Sequence, residues 1–184
     1  MAETSEFLRH PGDRAAPFDL RGTDGRRHTL HEFDGSSHLL VTFWCNHCPY
    51  VQGWESRLID LARRYQPQGV AFVVVNSNDA RQYPDDRFER MVERAQEKHY
   101  PFPYLWDESQ EVARAYGALV TPHPMLFGPK RTLLFQGRID DQPKEPSMVR
   151  ERFLEEALEA ALAGRPIPRS ELAVLGCSVK WRSD

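Results

Sequence analysis

Two kinds of apolar pattern alternate along the chain. Leu39-Leu40-Val41-Thr42-Phe43-Trp44 and Val70-Ala71-Phe72-Val73-Val74-Val75 are near-continuous apolar runs rich in β-branched and aromatic residues. Strands buried on both faces of a parallel sheet read this way. Between them, Pro49 to Tyr65 has helical spacing, with Trp54, Leu58, Ile59, Leu61 and Ala62 near one face and Gly69 ending the stretch. Strand, helix and strand in that order predict a parallel pair joined by a right-handed crossover. Upstream, Pro17–Leu20 and Arg27–Leu30 flank the turn residues Thr23-Asp24-Gly25-Arg26 and predict a hairpin. Downstream, Asn76–Asp79 and Tyr83-Pro84 read as a loop, and Asp85–Tyr100 as a helix. Asp107-Glu108-Ser109-Gln110 has capping-box spacing for a short helix to Tyr116, ended by Gly117. Met125–Phe127, Gly128-Pro129-Lys130 and Thr132–Phe135 predict strand, turn and strand. A last helix runs from a Ser147 cap to Leu162 and is closed by Gly164 and Pro166.

The pattern therefore predicts an α/β protein, a central mixed sheet with helices on both faces. Residues 1–15 read as a flexible polar N-terminus, 16–165 as one domain, and 166–184 as an extended tail packed on that domain.

Composition removes several function classes. A chain of 184 residues suits one domain with a full core. Its formal net charge of -3 gives no basic surface for nucleic acid. The apolar runs are far shorter than the roughly 20 residues that span a bilayer. The N-terminus carries acid where a signal peptide carries base, so the chain reads as cytoplasmic. Three cysteines are too few for a disulfide scaffold, and in a reducing compartment they point to catalysis or metal binding. No cofactor and no particular oligomeric state is implied.

The first run ends in Trp44-Cys45-Asn46-His47-Cys48-Pro49 as the helical pattern begins. Two thiols three apart can close a small disulfide ring, and unpaired N–H groups at a helix start favour a thiolate. A zinc site is the competing reading. It needs four ligands, and Cys177 is the only other thiol, while His47 sits awkwardly between the two cysteines. Two registers remain open. If Pro49 is the first helical residue, Cys48 is the cap and the nucleophile, facing the N–H groups of Tyr50 and Val51, with Cys45 resolving. If the helix starts near Asn46, Cys45 attacks. His47 is placed to stabilise the thiolate. Trp44 and Tyr50 either wall the site or, in the case of Trp44, fill the core. Further on, Thr121-Pro122 precedes the Met125–Phe127 strand. A cis bond there would set a backbone edge against the dithiol, able to pair with an extended substrate. His123 would then lie beside the cleft.

Together these segments resemble the thioredoxin-like superfamily, and within it the peroxiredoxin-like, AhpC/TSA-related branch of small bacterial CxxC proteins. Ala16–Leu20, Asp24-Gly25 and Phe33-Asp34-Gly35 resemble a peroxiredoxin-type N-terminal hairpin extension, and Phe43–Val51 that branch's active-site segment. Asn76–Asp79, Phe102–Leu105, Ala115–Ala118, Thr121-Pro122, Gly137–Asp141 and Gly176–Trp181 follow in order. The resemblance implies a thioredoxin-like fold and redox chemistry at Cys45, Cys48 and Pro122. It also has departures. Val120 stands where the branch often has cysteine, and His123 is not the usual residue after the proline. The Pro-Thr-Cys pattern of true peroxiredoxins is absent, since counting back from Cys45 gives Thr42 and then Leu39. Fast peroxide reduction is therefore not implied.

The leading expectation is a thiol–disulfide oxidoreductase working through a mixed disulfide on Cys45 and Cys48, with a protein or small-molecule disulfide as substrate and an external thiol as reductant. A slow thiol peroxidase on the same cysteines is the second. A redox-sensing or docking module without turnover is the third. Cys177 in the tail is either a second resolving thiol or an inert one, and Lys180 and Trp181 read as anchors.

Overall fold

The computed structural model describes residues 2–183. Met1 and Asp184, the outer ends of the two terminal segments, lie outside the described residues. In chain order the elements are β1 (Ala2–Thr4), β2 (Asp19–Gly22), β3 (Arg27–Thr29), β4 (His38–Trp44), α1 (Pro49–Tyr65), β5 (Val70–Asn76), α2 (Phe88–Glu97), β6 (Tyr104–Trp106), α3 (Glu111–Tyr116), β7 (Val120–Thr121), β8 (His123–Phe127), β9 (Leu133–Gln136), α4 (Phe153–Leu162) and β10 (Val174–Ser178).

Seven strands form one mixed sheet in the order β3-β2-β6-β5-β4-β8-β9. β4 runs parallel to β5 and β5 to β6, while the other pairs are antiparallel. The central strands are buried because their apolar runs leave no polar face. Alternate residues then feed two cores. Leu40, Trp44, Phe72 and Val74 pack with Trp54 and Leu58 of α1 and Leu154 and Leu158 of α4. Leu39, Val41, Phe43, Val73 and Val75 pack with Phe18, Tyr116 and Phe127 on the other face. This is the thioredoxin-like arrangement, with helices on both faces of a mixed sheet.

Three short strands build a second sheet in the order β1-β10-β7. It changes the picture of both termini. The N-terminal segment, which reads as loose, contributes β1, whose Ala2, Glu3 and Thr4 pair with Gly176, Leu175 and Val174. Its continuation is tied down as well, by Gly12 N to Leu133 O (2.9 Å) and Ala15 N to Arg131 O (2.8 Å). The extended tail is strand β10, clamped between β1 and β7.

Several predicted boundaries move, each because a side chain is recruited elsewhere. The helix expected from Asp85 starts at Phe88, and Pro84–Asp86 form a 3-10 turn whose Asp86 side chain turns inward. The short helix starts at Glu111, with Asp107 accepting from the N–H groups of Val112 (3.3 Å) and Ala113 (2.9 Å). Gln110, expected to close the capping box, instead donates to the carbonyls of Ser77 and Lys180. The last helix starts at Phe153 rather than at a Ser147 cap, since Pro146–Met148 form a separate 3-10 turn. β6 has no predicted counterpart. It has only three residues, and its place is set by β5 on one side and β2 on the other.

Candidate active site

The polypeptide leaves β4 at Trp44, passes Cys45, Asn46 and His47, and enters α1 at Pro49 with Cys48 as the residue before the first turn. Cys48 has extended backbone angles (φ -72, ψ 123), as a capping residue does, and Pro49 needs no N–H acceptor there. Of the two registers open in the sequence, the chain adopts the one with Pro49 first. The helix is held in this position by its own polar contacts. Trp54 Nε1 donates to Asp140 Oδ1 at 2.7 Å, Arg57 pairs with the same carboxylate, and Arg57 also donates to the Pro143 carbonyl at 3.1 Å.

Cys45 and Cys48 are both fully buried, and their environments differ. The Cys48 thiolate is favoured by the neighbouring Cys45 thiol first, then by the Cys177 thiol and by the N–H groups of Val51 and Tyr50 at the start of α1. Against the cost of burial they pull its pKa down to about 5. Burial pushes the Cys45 thiol well above its ordinary value, and the neighbouring Cys48 and Asp86 push it further. Cys45 Sγ lies 3.2 Å from Thr121 Oγ1, and Cys48 Sγ 3.2 Å from the Thr121 carbonyl oxygen. As a thiol, Cys48 donates to that carbonyl. As a thiolate it is the acceptor of the other groups. The Thr121-Pro122 peptide is cis.

The third cysteine joins them. Cys177 pairs with Thr121 across β10 and β7, and its sulfur is 2.8 Å from Cys48 Sγ. Burial, and then the Cys48 sulfur, raise the Cys177 thiol to about 11. The edge expected to receive an extended substrate is thus paired with the protein's own C-terminal strand.

His47 is brought to the site but held by a group the sequence does not single out. Its Nδ1 lies 2.5 Å from Asp86 Oδ2, and its ring stacks on Tyr83 with centroids 5.5 Å apart. The hydrogen bond to Asp86 raises the imidazole pKa, and the Cys48 charge adds to the rise. Asp86 is fully buried. Its carboxylate also accepts from Asn46 N (2.7 Å), Asn78 Nδ2 (2.8 Å) and Asn76 Nδ2 (3.3 Å), and the His47 contact comes first among the causes that lower its pKa. The only sequence signal for Asp86 is the Asn76–Asp79 loop beside Pro84, which reads as a polar turn.

Two other expected residues fall outside the group. Trp44 is core, and its Nε1 donates to Tyr100 Oη at 3.0 Å. His123 does not line the cleft. It is fully buried, its ring nitrogens face Gln136 Oε1 (3.2 Å) and Leu119 N (3.4 Å), and burial lowers its pKa to about 4. An open cleft of about 370 Å³ adjoins the site at Asn46 and His47 and is edged by Gln52, Arg90, Glu93 and Arg94.

Ligand atoms of Cys45, His47 and Asp86 lie within 4.8 Å of one another. They make a poor metal set. Both Asp86 oxygens are already filled with donors, Cys45 is the cysteine held protonated, and a tetrahedral site needs a fourth ligand.

The mixed sheet with helices on both faces places the chain in the class of thioredoxin-like folds. Within that class the chain belongs to the AhpC/TSA family, whose pattern matches residues 11–139. An uncharacterized conserved protein from Geobacillus kaustophilus is 40% identical, with a TM-score of 0.92 over 100% of this chain and 97% of the other. A hypothetical protein from Sinorhizobium meliloti 1021 is 38% identical, with a TM-score of 0.91 over 99% and 98%. The thioredoxin domain of a thiol-disulfide oxidoreductase from Bacteroides vulgatus shares the fold, at 19% identity and a TM-score of 0.59 over 68% and 86%. Among curated proteins none matches.

Proposed function

We propose that the protein is a thiol–disulfide oxidoreductase in which Cys48 attacks and Cys45 resolves. The observation that carries the reading is Cys48 standing just before the first turn of α1, its sulfur 3.2 Å from the Thr121 carbonyl oxygen and 2.8 Å from Cys177 Sγ. A Cys48 thiolate attacks one sulfur of a substrate disulfide and expels the other as a thiolate. In the resulting mixed disulfide Cys48 carries no charge, so the repulsion that helps hold Cys45 protonated is gone. Cys45 then loses its proton and attacks Cys48 Sγ. The Cys45–Cys48 bond forms and the second substrate thiolate leaves, taking up the proton. An external thiol restores the dithiol. We place the reaction in the cytoplasm, whose thiol pool would supply that reductant. AhpC/TSA membership favours a slow thiol peroxidase as the second reading, and the missing Pro-Thr-Cys pattern weighs against it.

The test is exchange with a small aromatic disulfide, followed by the absorbance of the released thiol. Cys48→Ser should lower the release of the second aromatic thiol by at least about 100-fold, and Cys45→Ser should form no Cys45–Cys48 disulfide. Undiminished exchange in a Cys45→Ser, Cys48→Ser double variant would sink the proposal. The same variants assayed with a hydroperoxide separate the second reading from the first.

A further inference from the structure

β10 fills the edge that a substrate chain would need. Cys177 pairs with Thr121 and Ser178 with Val120 in antiparallel register. The approach is close. A Cβ on Gly176 would lie 2.3 Å from the Thr121 carbonyl oxygen, so a side chain there would drive the strand off. The strand is also fastened on every side. β1 pairs along its other edge, Lys180 N donates to Asn78 Oδ1 at 2.9 Å, and the Lys180 carbonyl accepts from Asp79 N and Gln110 Nε2, each at 2.9 Å. With β10 in place Cys48 has no exposed surface, whereas Cys177 is partly exposed and its sulfur touches that of Cys48 at 2.8 Å. The cysteine that is partly exposed is not the one that carries the charge.

We propose that Cys177 is a shuttle thiol: it exchanges a disulfide with Cys48 and is the atom at which low-molecular-weight thiols and disulfides enter and leave, while β10 keeps extended polypeptides off the Thr121 edge. The inference rests on Cys48 being the nucleophile of the dithiol. From the Cys45–Cys48 disulfide, a deprotonated Cys177 attacks Cys48 Sγ. The Cys48–Cys177 bond forms, the Cys45–Cys48 bond breaks, and Cys45 leaves with the electron pair and recovers a proton. An external thiolate then attacks the outer sulfur, Cys177. Its bond to Cys177 forms, the Cys48–Cys177 bond breaks, and Cys48 leaves as the thiolate. Low-pKa thiols are the faster leaving groups, so the exchange is directed to the accessible end of the bond. A second external thiolate then attacks the sulfur of the first: the bond between the two external sulfurs forms, the bond to Cys177 breaks, and Cys177 leaves with the electron pair and takes up a proton. The protein disulfide is reduced by two electrons, and two external thiols become one small disulfide. Run in reverse, a small disulfide oxidises the buried pair through the same outer sulfur. Cys177 is held protonated by burial and then by the Cys48 charge, and the second hold disappears whenever Cys48 is in a disulfide.

Glutathione disulfide is the probe, with acid quenching and peptide mapping of the disulfides. Cys45→Ser should accumulate a Cys48–Cys177 disulfide and release two glutathiones per chain. Cys177→Ser should still form the Cys45–Cys48 disulfide with diamide, yet exchange with glutathione disulfide at least about ten-fold more slowly than wild type. If Cys177→Ser does not fold, Cys177→Ala carries the same comparison. Cys45→Ser halting at a Cys48–glutathione adduct with Cys177 free, or Cys177→Ser exchanging at the wild-type rate, overturns the shuttle. Wild type that forms no Cys45–Cys48 disulfide with diamide overturns the oxidoreductase reading itself, a different failure. Gly176→Val tests the exclusion. Displacing β10 should raise reduction of insulin disulfides by at least about ten-fold and slow the glutathione exchange. Insulin turnover unchanged by that substitution overturns the exclusion.

Discussion

Cys48 stands just before the first turn of α1, where the helix-start N–H groups and the neighbouring thiols favour its thiolate, a position that Cys45, three residues earlier, does not share. Cys45 sits at the end of a buried strand, where charge has little solvation, and its sulfur lies 3.2 Å from the Thr121 hydroxyl. One sulfur in the reduced protein should therefore ionise far below the others. Thiolate absorbance in the ultraviolet should rise with a midpoint near pH 5, and that step should vanish in Cys48→Ser. A first thiolate step above pH 8 would contradict the assignment. Asp86 acts at the same scale on His47. It raises the imidazole pKa above the ordinary 6.5, so the pair stabilises the fold fully below that pH, and the contribution is lost as pH rises through the folded value. Asp86→Asn should lower the His47 midpoint in an NMR titration. It also sets a carboxamide N–H₂ among donors that need acceptors, so a loss of about 1–3 kcal/mol is expected by urea unfolding. An unmoved His47 midpoint would show that something other than Asp86 holds the ring.

Helix α1 presents its dithiol end correctly because a loop is clamped to its flank. Gly53 is where the two meet, since a Cβ there would lie 2.1 Å from the Pro143 carbonyl oxygen. Gly to Ala inside a helix ordinarily gains about 1 kcal/mol. Here the backbone carbonyl cannot swing aside without loosening the Arg57 and Trp54 contacts to Asp140. Gly53→Ala should thus be net destabilising by about 1–2 kcal/mol, with the midpoint of urea unfolding as the readout. A stabilised variant would mean that the loop yields at no cost. Elements of this kind divide by how local their cause is. β4, α1 and β5 are legible because seven-residue and longer apolar patterns carry their own period. Pro49 after Cys48 was enough to pose the register question, and Thr121-Pro122 enough to mark the facing loop. β6, β1 and β10 are short, and their sequences carry no alternation; only a partner strand makes them strands. Asp86 and the true start of α2 were hidden for the same reason, since the second Asp of a helix predicted from Asp85 reads as an ordinary first-turn residue until a loop 40 residues away needs its carboxylate.

Across the whole molecule, the dithiol couples redox state to folding. In the unfolded reduced chain Cys48 titrates near the ordinary thiol value of about 8.5, and in the folded chain near 5. The folded value is depressed, so the stabilisation is fully present above the unfolded pKa and is lost as pH falls through the folded one. Between those limits the unfolded chain holds the extra proton, and reduced-state stability climbs by about 1.4 kcal/mol per pH unit. The Cys45–Cys48 disulfide has no thiolate and no such slope. Its own contribution is a small closed ring, worth about 2 kcal/mol in the chain-entropy picture and independent of pH. The two terms oppose each other, and their balance must change with pH. Near pH 4 the oxidised protein should be the more stable form. Near pH 8 the reduced protein should be, which is the condition for an oxidising disulfide that is readily discharged. His47 runs the other way above its own midpoint, but its partner Asp86 is present in both redox states, so most of its effect cancels in the difference. Urea unfolding of dithiothreitol-reduced and diamide-oxidised protein at matched pH values from 4 to 8 measures that difference. A crossing in that range supports a Cys48 thiolate stabilised by the fold. A difference that stays flat would mean the thiolate is no better held in the folded chain than in the unfolded one, and the nucleophile assignment would go with it.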